Sequence, residues 1–256
     1  MLKIFTIFFL YFCFMANTLA NSSIEAPPEI LISAATSLKD VFQELGKNFE
    51  KKNKVKVLFN FAASGQLRAQ IENGAPVDLF ASASFFDINL LEKKDLLEKK
   101  SITNFIKNTL VLAQGLHVKK PLKNLEELST TGIKSLALGN PESVPVGRYA
   151  KESLSYYKMF DSLKEKIIFG ESARQVLDYI AKNEVDAGIV FVTDVISDKK
   201  VKTVFEFSEV THSLIAYPIA TIKSSKKIKE AKAFIEFIMS KESQQLFAKY
   251  GFVSIK

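Results

Sequence analysis

Residues 29–49 read EILISAATSLKDVFQELGKNF, and the two halves of this stretch carry different patterns. The first half is an apolar run that predicts a strand from Glu29 to Ala34. In the second half, apolar residues recur at helical spacing and mark one face of a helix: Leu38, Val41, Phe42, Leu45 and Phe49. Ser37 stands between the two patterns. We expect it to cap the helix, with Asp40 completing a capping box.

The same pattern returns around Ser64. A strand predicted over residues 55–61 leads through two alanines into Ser64, and a helix carrying Leu67 and Ile71 follows. A helix N-terminus offers unpaired N–H groups and a positive potential, so two converging ones would bind an anion without any basic side chain. Each serine alone indicates no more than a cap. Two of them in consecutive strand–helix units favour an anion site.

Strands and helices alternate along the rest of the chain, which predicts an α/β fold with mostly parallel sheets. Further strands are predicted at residues 77–82, 109–114, 135–139, 166–169, 186–192, 201–207 and 213–219. Further helices are predicted at residues 85–94, 146–159 and 172–183, and two more close the chain. Ligands of such sheets bind beyond the carboxyl ends of the strands, which is where Ser37 and Ser64 fall.

The first 20 residues have the pattern of a secretory signal peptide. They hold one charged residue, Lys3, then an apolar run, and they end on a small residue, Ala20, after which cleavage is predicted. The apolar run is short for a membrane span. An uncleaved N-terminal anchor is the alternative, and lipid attachment at Cys13 fits less well because Phe12 precedes that cysteine.

Composition narrows the function further. Removal of the first 20 of 256 residues leaves 236, enough for two lobes, with no cysteine for a disulfide or for thiol chemistry. The net charge then falls from +7 to +6. The chain has 32 lysines and three arginines, scattered among glutamates, and no motif of a nucleic-acid-binding module. We therefore expect no nucleic-acid partner, only a solvated surface that mildly attracts anions.

The usual catalytic motifs are absent from the sequence, including nucleophile elbows, phosphate-binding loops, dinucleotide fingerprints and zinc-protease motifs. The two histidines, His117 and His212, do not have metal-ligand spacing and are expected to be structural. Asp78 is a candidate general base, although a structural role is favoured. A binding protein without catalytic residues, cofactor or direct metal ligands is therefore preferred. A secreted enzyme using Asp78 or Asp194 with a hydroxyl remains the alternative.

Four segments together resemble one family. They are SAATSL at 33–38, GAPVDLFASA at 74–83, NPESVPVGRYAKE at 140–152 and DAGIVF at 186–191. In this order and spacing they resemble the periplasmic molybdate-binding proteins of ABC transporters, over essentially the whole chain after the leader. The second and third segments are specific in combination, and either alone would be weak.

The resemblance implies a two-lobed type II periplasmic-binding fold with mixed, mostly parallel sheets flanked by helices. The first lobe would comprise residues 29–108 and 216–256, and the second residues 109–215. The implied function is a monomeric periplasmic protein that captures molybdate, and also tungstate, in the cleft and delivers it to a membrane permease. A binder of another oxyanion, either tungstate-preferring or sulfate, stays open on the same fold.

The resemblance also assigns the ligand-binding residues. The hydroxyl ligands of the family fall on Ser37 and Ser64, whose backbone N–H groups are donors as well. Further N–H donors come from Val146 in the third segment and from Ala173, which precedes an arginine. Both residues open or precede predicted helices, so they would use the same dipole effect as the two serines.

One position departs from the family pattern. The family usually ends its fourth segment with a tyrosine whose hydroxyl donates to the oxyanion, and this chain has Phe191. A hydrogen bond to a charged group contributes about 1.5–3 kcal/mol, so affinity would fall about tenfold to a hundredfold unless water or Thr193 compensates. The three arginines, Arg68, Arg148 and Arg174, each lie within four residues of a predicted ligand position. Contact with the anion and bridging of the lobes are both open for them.

Overall fold

A computed structural model describes residues 27–130 and 132–255. The predicted signal peptide lies outside these residues. Within them, no helix combines the length and the apolar character that a membrane crossing requires. The strands are β1 (Glu29–Ala35), β2 (Lys56–Ala62), β3 (Leu79–Ala81), β4 (Thr103–Lys107), β5 (Leu110–Gly115), β6 (Leu136–Gly139), β7 (Ile167–Gly170), β8 (Ala187–Phe191), β9 (Val201–Glu206), β10 (Ala216–Thr221) and β11 (Val253–Ser254).

The helices alternate with these strands as the sequence predicts. They are α1 (Lys39–Asn53), α2 (Ser64–Glu72), α3 (Phe85–Lys93), α4 (Glu127–Thr130), α5 (Pro145–Tyr156), α6 (Phe160–Leu163), α7 (Ala173–Ala181), α8 (Val192–Ser197), α9 (Ile228–Met239) and α10 (Lys241–Lys249). Short 3₁₀ turns lie at Thr36–Leu38, Lys99–Ser101, Lys164–Lys166 and Glu209–Thr211.

The strands form two mixed sheets, each flanked by helices. The first sheet has the order β11-β4-β10-β3-β1-β2 and the second the order β7-β6-β8-β5-β9. We call each sheet with its helices the first and the second lobe. The chain passes into the second lobe between β4 and β5, at Asn108 and Thr109, and returns between β9 and β10. The precise lobe boundaries stay a prediction.

Parallel pairing is confined to one part of each sheet. Strands β1, β2 and β3 are parallel, as are β6, β7 and β8, whereas β10, β4 and β11 in the first sheet and β5 and β9 in the second pair antiparallel. The expectation of mostly parallel sheets therefore holds only for the strands that carry the site. The chain crosses between the lobes twice. Strands β5 and β10 therefore begin at the interlobe edge, where β1 and β8 end, and run antiparallel to their neighbours.

The periodicity of α1 correctly predicts its buried face. Val41, Phe42, Leu45 and Phe49 are buried, and Phe42 packs against the rings of Phe105, Phe234 and Phe247 at centroid distances of 5.9–6.3 Å. These contacts join α1 to β4 and to the two C-terminal helices. The C-terminal segment therefore completes the core of the first lobe, and burial of this many aromatic rings is a large hydrophobic contribution.

The structure departs from the local predictions at three places. The helix predicted over 146–159 ends at Tyr156, because Lys158 adopts a left-handed conformation with φ of 57° before the short helix α6 begins. Strand β4 was not predicted, because TNFIK has no clear alternation and is a strand only through its pairing with β10 and β11. The predicted strand at 213–219 begins instead at Ala216.

Candidate functional site

Ser37 and Ser64 lie side by side at the interlobe edge of the first sheet. Strands β1 and β2 are parallel neighbours, and Ala35 pairs with Ala62. Each serine comes two residues after its member of this pair, and neighbouring strands are about 4.8 Å apart. The predicted convergence of two helix starts is therefore present.

Neither serine caps a helix, so the capping predictions are wrong. Ser37 lies inside the 3₁₀ turn that precedes α1, and Ser64 is the first residue of α2, with no side-chain cap at either helix. The hydroxyls have tertiary partners instead. The Oγ of Ser37 lies 3.0 Å from the Oη of Tyr217, and the Oγ of Ser64 accepts the backbone N–H of Ala83 at 3.1 Å. Asp40 forms an ion pair rather than completing a capping box.

Val146 and Ala173 stand at the corresponding edge of the second lobe. Val146 is the second residue of α5, Ala173 is the first of α7, and both are buried. N–H groups in the first turn of a helix have no acceptor within that helix, so they are available to an anion. Gly147 lets α5 approach the sheet, since a Cβ there would lie 1.9 Å from the carbonyl oxygen of Gly139.

The two edges face each other across a closed cleft. The backbone N–H of Gly65, next to Ser64, donates to the carbonyl oxygen of Ser143 at 2.9 Å, and Tyr149 Oη donates to the carbonyl oxygen of Ala83 at 3.3 Å. Helix α7 lies against the turn that holds Ser37. The structure thus brings together the starts of α2, α5 and α7 and the turn before α1.

Phe191 lies between these elements as part of an apolar wall. It is buried at the end of β8, and its ring packs against those of Tyr149 and Tyr217 at centroid distances of 6.3 and 6.0 Å. Its backbone N–H donates to the Oδ2 of Asp194 at 3.1 Å. Phe191 therefore offers the cleft neither a hydroxyl nor a free N–H group.

Sequence reasoning missed two polar residues near this wall, Tyr217 and Asn108. Besides its contact with Ser37, the Oη of Tyr217 lies 3.1 Å from the Nδ2 of Asn108, which also donates to the Oγ1 of Thr193 at 2.9 Å. Thr193, suggested above as a replacement donor, is therefore part of the same buried network. The only sequence signal was a phenol and an amide next to otherwise apolar strands.

All three arginines are ion-paired with carboxylates. Arg68 contacts Glu72 at 2.7 Å and Asp87 at 3.2 Å within the first lobe. Two other pairs join the lobes, since Arg148 contacts Asp87, and Arg174 contacts Asp40 at 2.9 Å. The arrangement agrees with the bridging alternative, and the ionised carboxylates offset the arginine charge near the cleft. Burial raises the pKa of Asp87, and its two arginine partners oppose that effect.

A comparison with known protein families agrees with this geometry. The family model described as bacterial extracellular solute-binding protein matches residues 30–253. The chain belongs to this family. It is a bacterial extracellular solute-binding protein.

Individual relatives are similar over nearly the whole length. This solute-binding protein is 39% identical over 236 residues to Bacillus subtilis YvgL, whose name refers to an ABC transporter substrate-binding lipoprotein, covering 92% of this chain and 90% of the relative. It is 32% identical to the molybdate-binding protein ModA of Escherichia coli, covering 95% and 94%. A solved Clostridium difficile structure, titled as the substrate-binding domain of a molybdenum ABC transporter, superposes with a TM-score of 0.70 at 36% identity, covering 89% and 99%.

The candidate catalytic aspartates have structural contacts in this solute-binding protein. Asp78 accepts the backbone N–H of Leu31 at 2.8 Å and the hydroxyl of Ser225 at 2.6 Å, at the end of β3 away from the cleft. Asp194 accepts the N–H of Phe191, and burial raises the pKa of its carboxyl to about 6.

Neither histidine lies among potential metal ligands. His117 is exposed, and the Nδ1 of His212 contacts the carbonyl oxygen of Ser213 at 2.9 Å. In the described parts of the chain, no three histidine, cysteine or acidic residues are grouped so that they could bind a metal ion.

Proposed function

We propose that this solute-binding protein captures molybdate, and also tungstate, as a tetrahedral dianion and delivers it to the membrane permease of an ABC transporter. The relatives support this ligand, because ModA of Escherichia coli is named for molybdate binding and shares 32% of its residues over 247 positions. The cleft supports an oxyanion independently, because hydroxyl and N–H donors at helix starts lie on both of its edges.

One observation carries the proposal. Both serine hydroxyls are next to a protein donor, with Ser37 beside Tyr217 Oη and Ser64 beside the N–H of Ala83. A hydroxyl that accepts a hydrogen bond from the protein still has its own proton to donate. Ser37 and Ser64 would then give hydroxyl and N–H bonds to two oxygens of the anion. Val146 and Ala173 would give N–H bonds to the others, with Phe191 as an apolar wall.

This donor set suits a fully deprotonated oxyanion. It contains no acceptor for the proton of a protonated phosphate, and each nearby arginine is ion-paired with a carboxylate. Sulfate has the same charge and shape as molybdate but is smaller. Rejection of sulfate would therefore depend on the size of the closed cavity.

Closure of the lobes would complete the site. The anion would bind first to the donors of one lobe, and hinge motion at Asn108, Thr109 and the returning segment before Ala216 would bring the other lobe onto it. The contact between Gly65 and Ser143 and the two interlobe ion pairs form in the closed state. Docking on the permease would favour the open state and release the anion. In this scheme the lobes divide at residues 108/109 and 215/216.

We further propose that the protein is exported through residues 1–20, cleaved after Ala20, and works in the periplasm as a monomer. It would catalyse no reaction and bind no cofactor or nucleic acid. Mass spectrometry of the protein isolated from its host would show a chain beginning at Asn21. A chain that retains residues 1–20 would instead support the anchor alternative, and a lipid-modified cysteine would support the lipoprotein alternative.

Calorimetric titration tests the proposed function. The chain without its leader, stripped of bound anions, is titrated with molybdate, tungstate and sulfate. Tight binding of the first two without sulfate heat is expected. Ser37→Ala and Ser64→Ala should each weaken molybdate binding about tenfold or more, by loss of a hydrogen bond to a charged group. Ser240→Ala is the matched control, because the Ser240 hydroxyl caps the distant helix α10.

Sulfate is the second candidate ligand, and Phe191 is the observation that favours it. Loss of the tyrosine hydroxyl at this position removes a donor on which the molybdate proteins usually rely. Sulfate binding as tight as molybdate binding would establish this alternative. Unchanged molybdate affinity in both serine variants would contradict the site assignment itself.

A further inference from the structure

The hydroxyl of Ser37 is the end of a buried chain of hydrogen bonds that reaches the second lobe. The Oη of Tyr217 lies 3.0 Å from Ser37 Oγ and 3.1 Å from the Nδ2 of Asn108. The same nitrogen lies 2.9 Å from the Oγ1 of Thr193. Tyr217 is fully buried and Asn108 is 7% exposed, so the network is shielded from solvent.

Asn108 determines which groups donate and which accept in this series of hydrogen bonds. Its Oδ1 accepts the backbone N–H of Thr109 at 2.9 Å, which fixes the orientation of the amide and leaves two protons on Nδ2. Both protons are donated, one to Tyr217 and one to Thr193. The oxygen of Tyr217 is therefore an acceptor toward Asn108, which leaves its single proton free to be donated to Ser37.

The phenol of Tyr217 is suited to this role. Burial raises its pKa well above the ordinary value, so it keeps its proton at neutral pH. Its ring is held between Phe191, Phe105 and Phe252, with centroid distances of 5.6–6.4 Å. Packing on three sides restricts the direction in which the hydroxyl can point.

We infer that Tyr217 is a positioning residue that turns the hydroxyl proton of Ser37 into the cleft, toward the bound oxyanion. Because Ser37 accepts the proton of Tyr217, its own proton is left for an acceptor in the cleft. Hydrogen bonds aligned in series also strengthen one another, so the last donor in the chain becomes a better one. This compensates in part for the hydroxyl that Phe191 lacks. The inference rests on the proposed oxyanion function.

A double-mutant cycle tests the inference. Tyr217→Phe keeps the ring and removes the hydroxyl, and molybdate binding to this variant should weaken about tenfold. In the Ser37→Ala background, the same change should alter the affinity by less than about twofold, because no serine proton remains to be oriented. A general structural role of Tyr217 would instead lower the affinity equally in both backgrounds.

Tyr250→Phe is the matched control. It removes a phenolic hydroxyl that also belongs to the first lobe but donates to the Oε2 of Glu44 at 2.7 Å instead of to Ser37. Its molybdate affinity should equal that of the unaltered chain. Thermal unfolding without ligand, measured on every variant, separates loss of stability from loss of binding.

Asn108→Asp tests the same chain from its other end, and it serves if Tyr217→Phe fails to fold. A carboxylate of nearly the same size cannot donate, so Tyr217 would give its proton to position 108 and Ser37 would have to donate to Tyr217. Molybdate affinity should fall more with Ser37 present than in the Ser37→Ala background. The latter background measures the repulsion from the new charge alone.

The outcomes separate the inference from the function on which it rests. Loss of affinity that is equal in the two backgrounds, or no loss in Tyr217→Phe, overturns the role of Tyr217 while molybdate binding by the unaltered chain stands. Failure of the unaltered chain to bind molybdate, tungstate or sulfate overturns the proposed function, and the inference with it.

Discussion

The backbone N–H of Gly65, in the first lobe, donates to the carbonyl oxygen of Ser143, in the second lobe, at 2.9 Å. Gly65 follows the proposed ligand Ser64, and Ser143 precedes Val146 by three residues. A Cβ at position 65 would lie 2.6 Å from that oxygen and 2.8 Å from the Cα of Ser143. The glycine is therefore needed for the lobes to close, and closure is coupled directly to the proposed site.

Gly65→Ala should separate stability from binding. The residue lies in α2, where alanine is favoured over glycine by about 0.5–1 kcal/mol, so the open, free protein should be slightly more stable. In the closed state the added methyl group overpacks the interface, which costs about 1–3 kcal/mol and weakens molybdate binding about fivefold to a hundredfold. Calorimetry gives the affinity, and thermal unfolding without ligand gives the stability.

Gly46→Ala is the control for this experiment. Its Cβ would lie 2.7 Å from the ring of Phe59, within the first lobe and away from the cleft. We expect a loss of stability with unchanged affinity, the reverse of Gly65→Ala. Tighter or unchanged molybdate binding in Gly65→Ala would show that the ligand-bound state does not need this contact.

The two interlobe ion pairs should contribute unequally to binding. Asp87 is fully buried between Arg68 and Arg148, and Arg148 also lies over the ring of Phe86 at 4.6 Å. Arg148→Met removes the guanidinium group that pairs with Asp87 across the two lobes, and it leaves Asp87 paired with Arg68. Loss of a hydrogen bond between charged groups costs about 1.5–3 kcal/mol, so molybdate affinity should fall about tenfold to a hundredfold.

Arg174→Met is the comparison, because Arg174 and Asp40 are 36% and 43% exposed in their side chains. Exposed pairs contribute about 0–1 kcal/mol, so this variant should lose less than about fivefold. Titrations of both variants with molybdate at low and high salt measure the two losses of affinity. Equal losses in the two variants would show that burial of Asp87 does not strengthen its pair.

Local pattern was enough to predict much of this site. The apolar spacing after Ser37 and Ser64 placed both residues at helix starts beside neighbouring strands, because secondary structure follows periodicity within a few residues. The orientation of the hydroxyls was beyond such reasoning. It depends on Tyr217, 180 residues from Ser37, and on Ala83, whose N–H reaches Ser64 only after the sheet has formed.

The interlobe pairs and strand β4 show the same limit. Three rare arginines near predicted ligands indicated a charged role. Glu72 lies four residues from Arg68, but the pairs with Asp87 and Asp40 span 19 to 134 residues and could not be predicted from spacing. Strand β4 has little strand pattern of its own and is defined by β10 and β11. Tertiary contacts rather than local spacing account for these features.

Asp194 should make the stability of the protein depend on pH. Burial raises the pKa of its carboxyl to about 6, above the ordinary value of 3.8, so the folded state keeps a proton that the unfolded state releases. Stability is therefore lost as the pH rises from about 4 to about 6 and is constant above that range. The loss is about 3 kcal/mol at 1.36 kcal/mol per pKa unit.

Asp194→Asn should remove this loss, because it replaces the titrating carboxyl with an amide. The amide oxygen can still accept the N–H of Phe191. The variant should be more stable than the unaltered chain above about pH 6, and the difference should vanish toward about pH 4. Denaturant titrations across this range measure it. Asp161→Asn should show the opposite sign, because Lys164 lowers the pKa of that exposed carboxyl. A pH-independent difference between Asp194→Asn and the unaltered chain would contradict the prediction.

The N–H group of Ala173 can be removed without breaking its helix. Ala173 is the first residue of α7, a position that accepts proline, and Ser172 before it is extended, with φ of −161° and ψ of 163°. Ala173→Pro should therefore fold with α7 intact but lack one proposed donor to the oxyanion. Molybdate affinity should fall about tenfold to a hundredfold, as expected for a hydrogen bond to a charged group.

Ala173→Gly keeps the N–H group and is the control, with an expected affinity close to that of the unaltered chain. Circular dichroism of both variants checks that the helix content is unchanged. If proline and glycine lowered the affinity by the same factor, the methyl group and its packing would account for the effect, and Ala173 would not be an N–H donor to the ligand. A selective loss with proline would instead assign the start of α7 to the anion site, because the two variants differ in the donor that the proposal requires.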